Sequence, residues 1–239
     1  MPSSLFLGAY WEPRKETAQT CAQKLGNTLL ALGDLSPAFS HWFRKGATRD
    51  QSLRAEVNLA GEELSSLIMS GTNRKDLDRS SIAAAGYRVS LWTGQSDEQA
   101  ASLTVKCCST VKLPVPSNSL VLNLPVNGTR ESPDLLSKNK LTQIVEIVVQ
   151  QFDPEWAVIT SVDHLNRVRR SGEFGPFVGW ISYFKNLSNL SRNILPSSIV
   201  ERQHQLGGIL RLTPEQFDVA NAAHVQEAED IFKAIRELL

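Results

Sequence analysis

The sequence predicts a single α+β domain over residues 1–239, built as a largely antiparallel mixed sheet flanked by helices. Several short runs alternate apolar and polar residues with period two, and longer segments carry apolar stripes at helical spacing. Two alternating runs follow each other closely enough to form a hairpin, which favours antiparallel pairing. A division into two small α/β lobes near Pro114-Val115-Pro116 is the alternative.

The N-terminal part is predicted to form a strand, a helix and an aromatic corner. Leu5 to Trp11 is a strand-like apolar run. Glu16 to Leu32 carries an apolar stripe at three- and four-residue steps, and Gly33-Asp34 is expected to end this helix. Ser36 before Pro37 is a favourable helix start, so the segment Phe39 to Phe43 is interpreted as a short packing corner.

The middle of the chain is predicted to contain a helix and three strands. Glu62 to Met69 is the helix. Tyr87 to Trp92 and Ala101 to Val111 alternate with period two, and the connection Gly94 to Glu98 suits a hairpin between them. Ser119 to Leu124 is a further short strand, ended by a proline.

The C-terminal half begins with the clearest helix after the first one. Leu135 to Phe152 has one broad apolar face, and Asp153-Pro154 ends it. Arg167 to Gly175 is basic and is interpreted as a solvated loop, with phosphate contact as the less favoured alternative. The remaining predicted elements are strands at Trp156 to Thr160, Val178 to Phe184 and Ile209 to Leu212, and a final helical region from Thr213 to Leu239.

Composition excludes several classes of protein. The chain has 25 Lys and Arg against 25 Asp and Glu, and this neutral balance disfavours direct binding of nucleic acid. The sequence contains no apolar run near the ~20 residues that a membrane-spanning helix needs. The N-terminus, Met1-Pro2-Ser3-Ser4, lacks the basic region of a secretory signal, so a cytoplasmic location is expected.

Three cysteines are expected to be reduced thiols with a structural role. The number is odd, and the adjacent pair Cys107-Cys108 is poorly placed to bond to itself, so Cys21 and this pair suit a reducing compartment. The alternation of the strand predicts that one residue of the pair faces the core and the other faces outward.

Sequence motifs for catalysis, metal binding or cofactor binding are not found. There is no phosphate-binding loop, dinucleotide fingerprint, metalloprotease motif or nucleophile elbow, so neither a cofactor nor a metal is expected. An enzyme of undetected class remains an alternative. Its polar groups would come from Glu12, Arg14, His41, and Asp163 with His164, because these residues lie near predicted element ends.

The C-terminal segment is acidic on one side. This side could meet a basic surface of a partner protein, since opposite potentials steer association; a solvated helix face is the alternative. The candidate interface residues are Glu215, Asp218, Glu227, Glu229 and Asp230.

Several segments together resemble a family of bacterial immunity proteins. The chain opens with Gly8-Ala9-Tyr10-Trp11 followed by Pro13-Arg14 and Glu16, and it is similar to immunity protein 52 of polymorphic toxin systems. Four further segments extend the resemblance: Trp42-Phe43 with Lys45-Gly46, Ser119 to Pro125, Phe152 to Ala157, and Val178 to Tyr183.

The resemblance implies a protein that binds a toxin in the cytoplasm and blocks it without catalysis. The expected partner is a cognate toxin effector used in bacterial competition, such as a type VI secretion effector, commonly with a restriction-endonuclease-type nuclease domain. The neutral charge departs from the acidic character common in nuclease inhibitors. An adaptor for toxin secretion is a third possibility, and the sequence leaves self-association open.

Overall fold

The computed structural model describes residues 4–59, 62–73, 80, 82–96, 98–113, 115–126, 128–169, 175–189, 200–204 and 207–236. Within them, nine strands form one sheet in the order β2-β3-β4-β5-β1-β6-β7-β9-β8, and each pairing is antiparallel. The strands are β1 (Leu5–Trp11), β2 (Phe43–Arg44), β3 (Tyr87–Trp92), β4 (Ser102–Cys107), β5 (Asn118–Asn123), β6 (Trp156–Ser161), β7 (Ile181–Phe184), β8 (Val200–His204) and β9 (Gly207–Arg211). The helices are α1 (Ala18–Leu35), α2 (Arg49–Leu53), α3 (Glu62–Ser70), α4 (Lys138–Phe152), α5 (Val162–Arg169) and α6 (Ala222–Ile235). The predicted α+β class with its antiparallel sheet is confirmed.

The sheet continues across the point where two lobes were the alternative. β4 precedes the proline-rich segment and β5 follows it, yet the two strands pair along their length from Leu103 opposite Leu122 to Lys106 opposite Ser119. β1 lies at the centre and pairs with β5 on one side and β6 on the other. One sheet therefore joins the two parts of the chain.

The two faces of the sheet are covered differently. Trp11 points to the face on which α1, α3 and α4 pack, and its ring lies 5.2 Å from that of Phe152. Neighbouring strand residues point to opposite faces, so Tyr10 points to the other side, which we call the second face. There α5 packs on β6, and α6 lies across a shared pocket from α5. On β3 and β4 the second face is polar, and the half-buried Ser90 and Thr104 hydrogen-bond to each other at 3.0 Å.

Helix α1 extends beyond its predicted end at Gly33. It continues to Leu35, where the Ser36 N–H still reaches the Leu32 carbonyl, and Ser36 itself has an extended backbone. The prediction failed because an interior glycine costs a helix only about 1 kcal/mol. Pro37 is the actual stop, since a proline disfavours the helical conformation of the residue before it; it opens a short 3-10 helix, Pro37–Phe39.

The cysteines differ from the prediction of free thiols with one facing outward. Cys21 of α1 and Cys107 of β4 form a disulfide, although 86 positions separate them in sequence. Cys108 is a buried thiol. β4 ends at Cys107, and Cys108 has a positive φ of 61°, so it no longer follows the alternation of the strand.

Four strands and helices were absent from the sequence prediction, β2, α2, α5 and β8, and several boundaries moved. The last three residues of helix α5, 167–169, belong to the segment interpreted as a basic loop, and residues 170–174 lie outside the described part of the chain. Strand β8 was not predicted. β7 begins at Ile181, and α6 begins only at Ala222 because Asn221 caps it by accepting from the Ala223 N–H. No helix among the described residues is long and apolar enough to cross a bilayer.

Candidate functional site

A groove runs along the second face of the sheet, formed by adjoining cavities. The first cavity, which we call the end pocket, has a volume of about 370 Å³ and lies beyond the ends of β1 and β6. The second, the inter-helix pocket, has a volume of about 520 Å³ and lies between α5 and α6. A small cavity of about 40 Å³, lined by Tyr10, Trp156, Val168 and Phe177, joins them.

Strand pairing builds the aromatic wall of the end pocket. Tyr10 of β1 is directly opposite Trp156 of β6, and their rings stack with centroids 4.2 Å apart. Phe177 packs edge-on against Trp156 at 5.7 Å and fixes its position. Gly8 gives the Tyr10 ring its space, because a Cβ at that position would lie 2.5 Å from the Tyr10 hydroxyl oxygen. Burial raises the pKa of Tyr10, so the phenol stays neutral.

The rim of the end pocket is apolar on one side. The segment after β4 presents exposed aliphatic side chains: Leu113 is 51% exposed and Val115 is 40% exposed. Pro116 lines the pocket beside them. Clustered apolar side chains that remain exposed are typical of surfaces that bind another protein.

The charged side chains that line the end pocket are both carboxylates. Glu12 follows β1 and Glu155 precedes β6, and both are exposed. Lys112 approaches Glu12 with a separation of 3.8 Å between Nζ and Oε2, but both side chains are more than half exposed. Such an exposed pair is worth well under 1 kcal/mol. Nearby, burial raises the pKa of Tyr183, and the charges of Asp153 and Glu155 raise it further. The described charged side chains that line the end pocket are therefore negative, and Lys185 pairs with Asp153 nearby at 2.8 Å.

The inter-helix pocket is mainly apolar, with a buried histidine at its base. His164 of α5 lies 3.0 Å through Nε2 from the Val178 carbonyl oxygen, so Nε2 carries the hydrogen and donates it. Burial lowers the pKa of His164, which is consequently neutral at neutral pH. Arg167 and Glu229 line the same pocket from the two helices.

The predicted acidic interface residues Glu215 and Asp218 are exposed and surround His224. The Asp218 backbone N–H donates to Nδ1 of His224 at 3.1 Å, which leaves the proton on Nε2. Nε2 then donates to the Glu215 carboxylate at 2.9 Å. These residues stabilise the turn that leads into α6.

The other three predicted acidic residues are spread around α6. Glu229 lines the inter-helix pocket, whereas Glu227 lies about 200° away around the helix, since successive residues turn by about 100°. Asp230 points outward, where it accepts from the Gln226 side chain at 2.9 Å and lies 3.7 Å from Lys233. The structure thus brings one of the five, Glu229, to the groove, and all five remain predictions as interface residues.

The polar residues considered for an enzyme are scattered. Glu12 lines the end pocket, and His164 is at the base of the inter-helix pocket. Arg14 donates to backbone carbonyls at the end of α4, and His41 pairs with the exposed Glu56 at 2.7 Å. Asp163 is exposed at the start of α5. None of the three cavities contains two of these side chains.

Among the described residues, the three cysteines are the one group close enough together to hold a metal ion. The disulfide uses Cys21 and Cys107, so the sole remaining thiol is that of Cys108. This thiol is poorly suited to ligate a metal, because burial raises its pKa to about 11.

Most residues of the groove were not predicted from the sequence. Tyr10, Glu155 and Trp156 entered only as members of the segments that carry the family resemblance, and none of them was predicted to line a site. Their proximity depends on the pairing of β1 with β6, across almost 150 positions, which local patterns do not reveal. The segment from Val111 to Pro116 offered a usable signal. Its aliphatic residues alternate with lysine and proline, and the prolines disfavour a regular strand.

The family model described as immunity protein 52 matches residues 3–238, nearly the whole chain. The chain belongs to the immunity protein 52 family. The fold of this immunity protein 52 member is similar to that of the Pseudomonas aeruginosa T6SS protein PA0821. The TM-score is 0.55 at 11% sequence identity, covering 98% of this chain and 76% of that one. At this identity the likeness concerns the fold alone. None of the curated proteins matches the sequence.

Membership of the immunity protein 52 family confirms the resemblance identified from short sequence segments. The structure gives physical reasons for the first of these segments. Gly8 makes room for the Tyr10 ring, Trp11 enters the core, and Arg14 binds the end of α4. In an immunity protein the surface of interest is the one that contacts a partner, and the groove combines concavity, exposed apolar side chains and charge.

Proposed function

We propose that this protein is an immunity protein that binds and neutralises a cognate secreted toxin, a restriction-endonuclease-type nuclease, without catalysing a reaction itself. The observation that carries the proposal is the family match over residues 3–238. The scattered positions of the candidate catalytic side chains support a binding role. The name of the similar P. aeruginosa structure, a T6SS protein, supports a toxin delivered by type VI secretion.

The proposed binding unit is the whole chain, residues 1–239, acting as one immunity-protein domain. A specific complex of this kind buries about 1,200–2,000 Å² in total. The groove on the second face and the acidic residues Glu215, Asp218, Glu227, Glu229 and Asp230 are the proposed contact regions. Because the overall charge is zero, the attraction toward a basic nuclease would come from local carboxylates.

The proposed site of action is the cytoplasm, where an incoming nuclease would meet nucleic acid. The Cys21–Cys107 disulfide bears on this proposal, since disulfides persist mainly in oxidising compartments. One free thiol in protein alkylated inside cells would indicate an oxidising compartment, whereas three free thiols would agree with the cytoplasm.

The test of function is co-expression with the toxin encoded beside this chain in a susceptible bacterial host. We expect growth to be restored, a 1:1 complex in gel filtration, and loss of nuclease activity on plasmid DNA when the purified proteins are mixed. A toxin of unrelated chemistry is the control and should not be neutralised. Failure to restore growth, together with absence of a complex, would refute the proposal.

A second experiment concerns the acidic residues. Glu229→Lys and Asp230→Lys are expected to weaken toxin binding, whereas Glu98→Lys serves as the matched control. Glu98 is exposed and lies before β4, at the end of the sheet opposite to the end pocket. Equal affinities for the three variants would remove Glu229 and Asp230 from the interface.

A further inference from the structure

We propose that the end pocket binds an arginine side chain of the toxin, held by Glu12 and Glu155 against the ring of Tyr10. This inference rests on the proposed function and adds to it the chemical identity of one anchor residue on the partner.

The charge of the end pocket favours a cationic occupant. Among the described residues that line the end pocket, the charged side chains are Glu12 and Glu155, one at each side of the strand pair β1 and β6. The carboxylate of Glu12 has only a long, exposed contact with Lys112. Among the described residues, no salt bridge involves Glu155. Two carboxylates that line one cavity favour a positively charged occupant. A described cation on this side, Arg169, lines the adjoining small cavity with Tyr10.

The aromatic wall of the end pocket favours a guanidinium group. Tyr10 is half-buried, its ring stacks on Trp156, and these rings line the same cavity as the two glutamates. A guanidinium group stacks on aromatic faces and binds carboxylates through two parallel hydrogen bonds, which an ammonium group cannot do. The same chain already holds two of its own arginines over tryptophan rings, Arg14 at 5.4 Å from Trp11 and Arg49 at 5.7 Å from Trp92.

The size and the rim of the end pocket suit a single long side chain. A volume of about 370 Å³ is at the small end of the range for ligand pockets, which suits one long side chain. Leu113 and Val115 at the rim would contact the aliphatic part of that side chain and exclude water from the ion pair. A nuclease offers suitable occupants, since enzymes that bind nucleic acid present arginines and lysines to phosphates.

The experiment measures the affinity of this chain for the toxin encoded beside it, made catalytically inactive, by isothermal titration calorimetry. The variants are Glu12→Gln, Glu155→Gln and the double variant, which keep the shape of two exposed side chains. We expect the double variant to bind about 10- to 100-fold more weakly. Glu98→Gln, an exposed carboxylate at the other end of the sheet, is the matched control and should bind like the wild type.

An arginine scan of the toxin identifies the partner residue. Replacing the arginine that occupies the pocket should weaken binding to the wild type but should have little further effect on the double variant, in which Glu12 and Glu155 are glutamine. Lysine at the same position of the toxin should not restore the affinity. If the wild type binds but the double variant changes its affinity by less than threefold, the pocket assignment is wrong while the proposed function stands. If the wild type forms no complex, the proposed function itself fails.

Discussion

Replacing Arg14 should destabilise the fold, because its guanidinium joins the N-terminal segment to the end of α4. Nη2 donates to the Phe152 carbonyl, and Nη1 donates to the Asp153 carbonyl at 3.2 Å. These are carbonyls at the C-terminal end of α4, where a positive charge is also favoured by the helix dipole. Glu16 lies 3.1 Å from Arg14 Nε and also binds Lys24, and its side chain is only 9% exposed.

The expected loss follows from these contacts. A hydrogen bond to a charged donor contributes about 1.5–3 kcal/mol, and the lower value applies because the Arg14 side chain is 27% exposed. Arg14→Met should therefore lower the free energy of unfolding by about 3 kcal/mol, within the 5–15 kcal/mol that a domain typically has. Arg14→Lys keeps the charge but loses the two-pronged geometry, and we expect it to recover about half of the loss.

Urea denaturation followed by tryptophan fluorescence and far-UV circular dichroism measures this effect. A lower midpoint with an unchanged slope would show that stability changed without a change in the surface exposed on unfolding. The double variant Arg14→Met/Glu16→Gln should lose less than the sum of the single variants, because the two side chains contact each other. If Arg14→Met lies within about 0.5 kcal/mol of the wild type, the proposed role of Arg14 is refuted.

Three further predictions concern stability and cysteine chemistry. Gly33→Ala should stabilise α1 by about 0.5–1 kcal/mol. Gly26→Ala should destabilise the protein by about 1–3 kcal/mol, because the added Cβ would lie 2.9 Å from a backbone oxygen. Thermal unfolding distinguishes the two variants. Burial lowers the pKa of His164 from its ordinary value of 6.5. The contribution of neutral His164 to stability is therefore complete above pH 6.5, and it falls as the pH decreases toward the lower pKa of the folded state. Urea titrations should show a weaker pH dependence of stability for His164→Gln than for the wild type. Unfolded, unreduced protein should contain one reactive thiol, that of Cys108. Reduction of the disulfide should lower the free energy of unfolding by roughly 4–5 kcal/mol, because the unfolded chain gains loop entropy. Three reactive thiols before reduction would contradict the disulfide.

Local patterns were sufficient to predict much of the sheet. β1, β3 and β6 were predicted within one residue of their observed ends, because each is an apolar or alternating run bounded by turn residues. α5 was missed since its eight residues are mostly polar and too few to display a convincing stripe. The final helical region was predicted to start at Thr213, because the sequence pattern does not display the Asn221 cap or the contacts with His224 that hold the preceding turn.

The candidate site was harder to predict, because its residues come from distant parts of the chain. The end pocket combines Tyr10 and Glu12 with Leu113, Glu155 and Trp156, and only strand pairing brings them together. The acidic set was chosen because its members are neighbours in sequence. In the structure Glu229 lies at the groove and the others point elsewhere, which shows that proximity in sequence is a poor guide to a shared surface.

The residues of β1 and its continuation have two different roles, because their side chains alternate between the two faces of the sheet. Leu7, Ala9 and Trp11 are buried against the helices, so substitutions there should reduce stability. Tyr10 and Glu12 line the end pocket on the other side. Glu12 is exposed and contributes little to folding, so its substitution should change partner binding with an unaltered unfolding midpoint. The same short segment that identifies the family therefore contains both a structural anchor and a proposed contact, and measuring stability and affinity on the same variants distinguishes them.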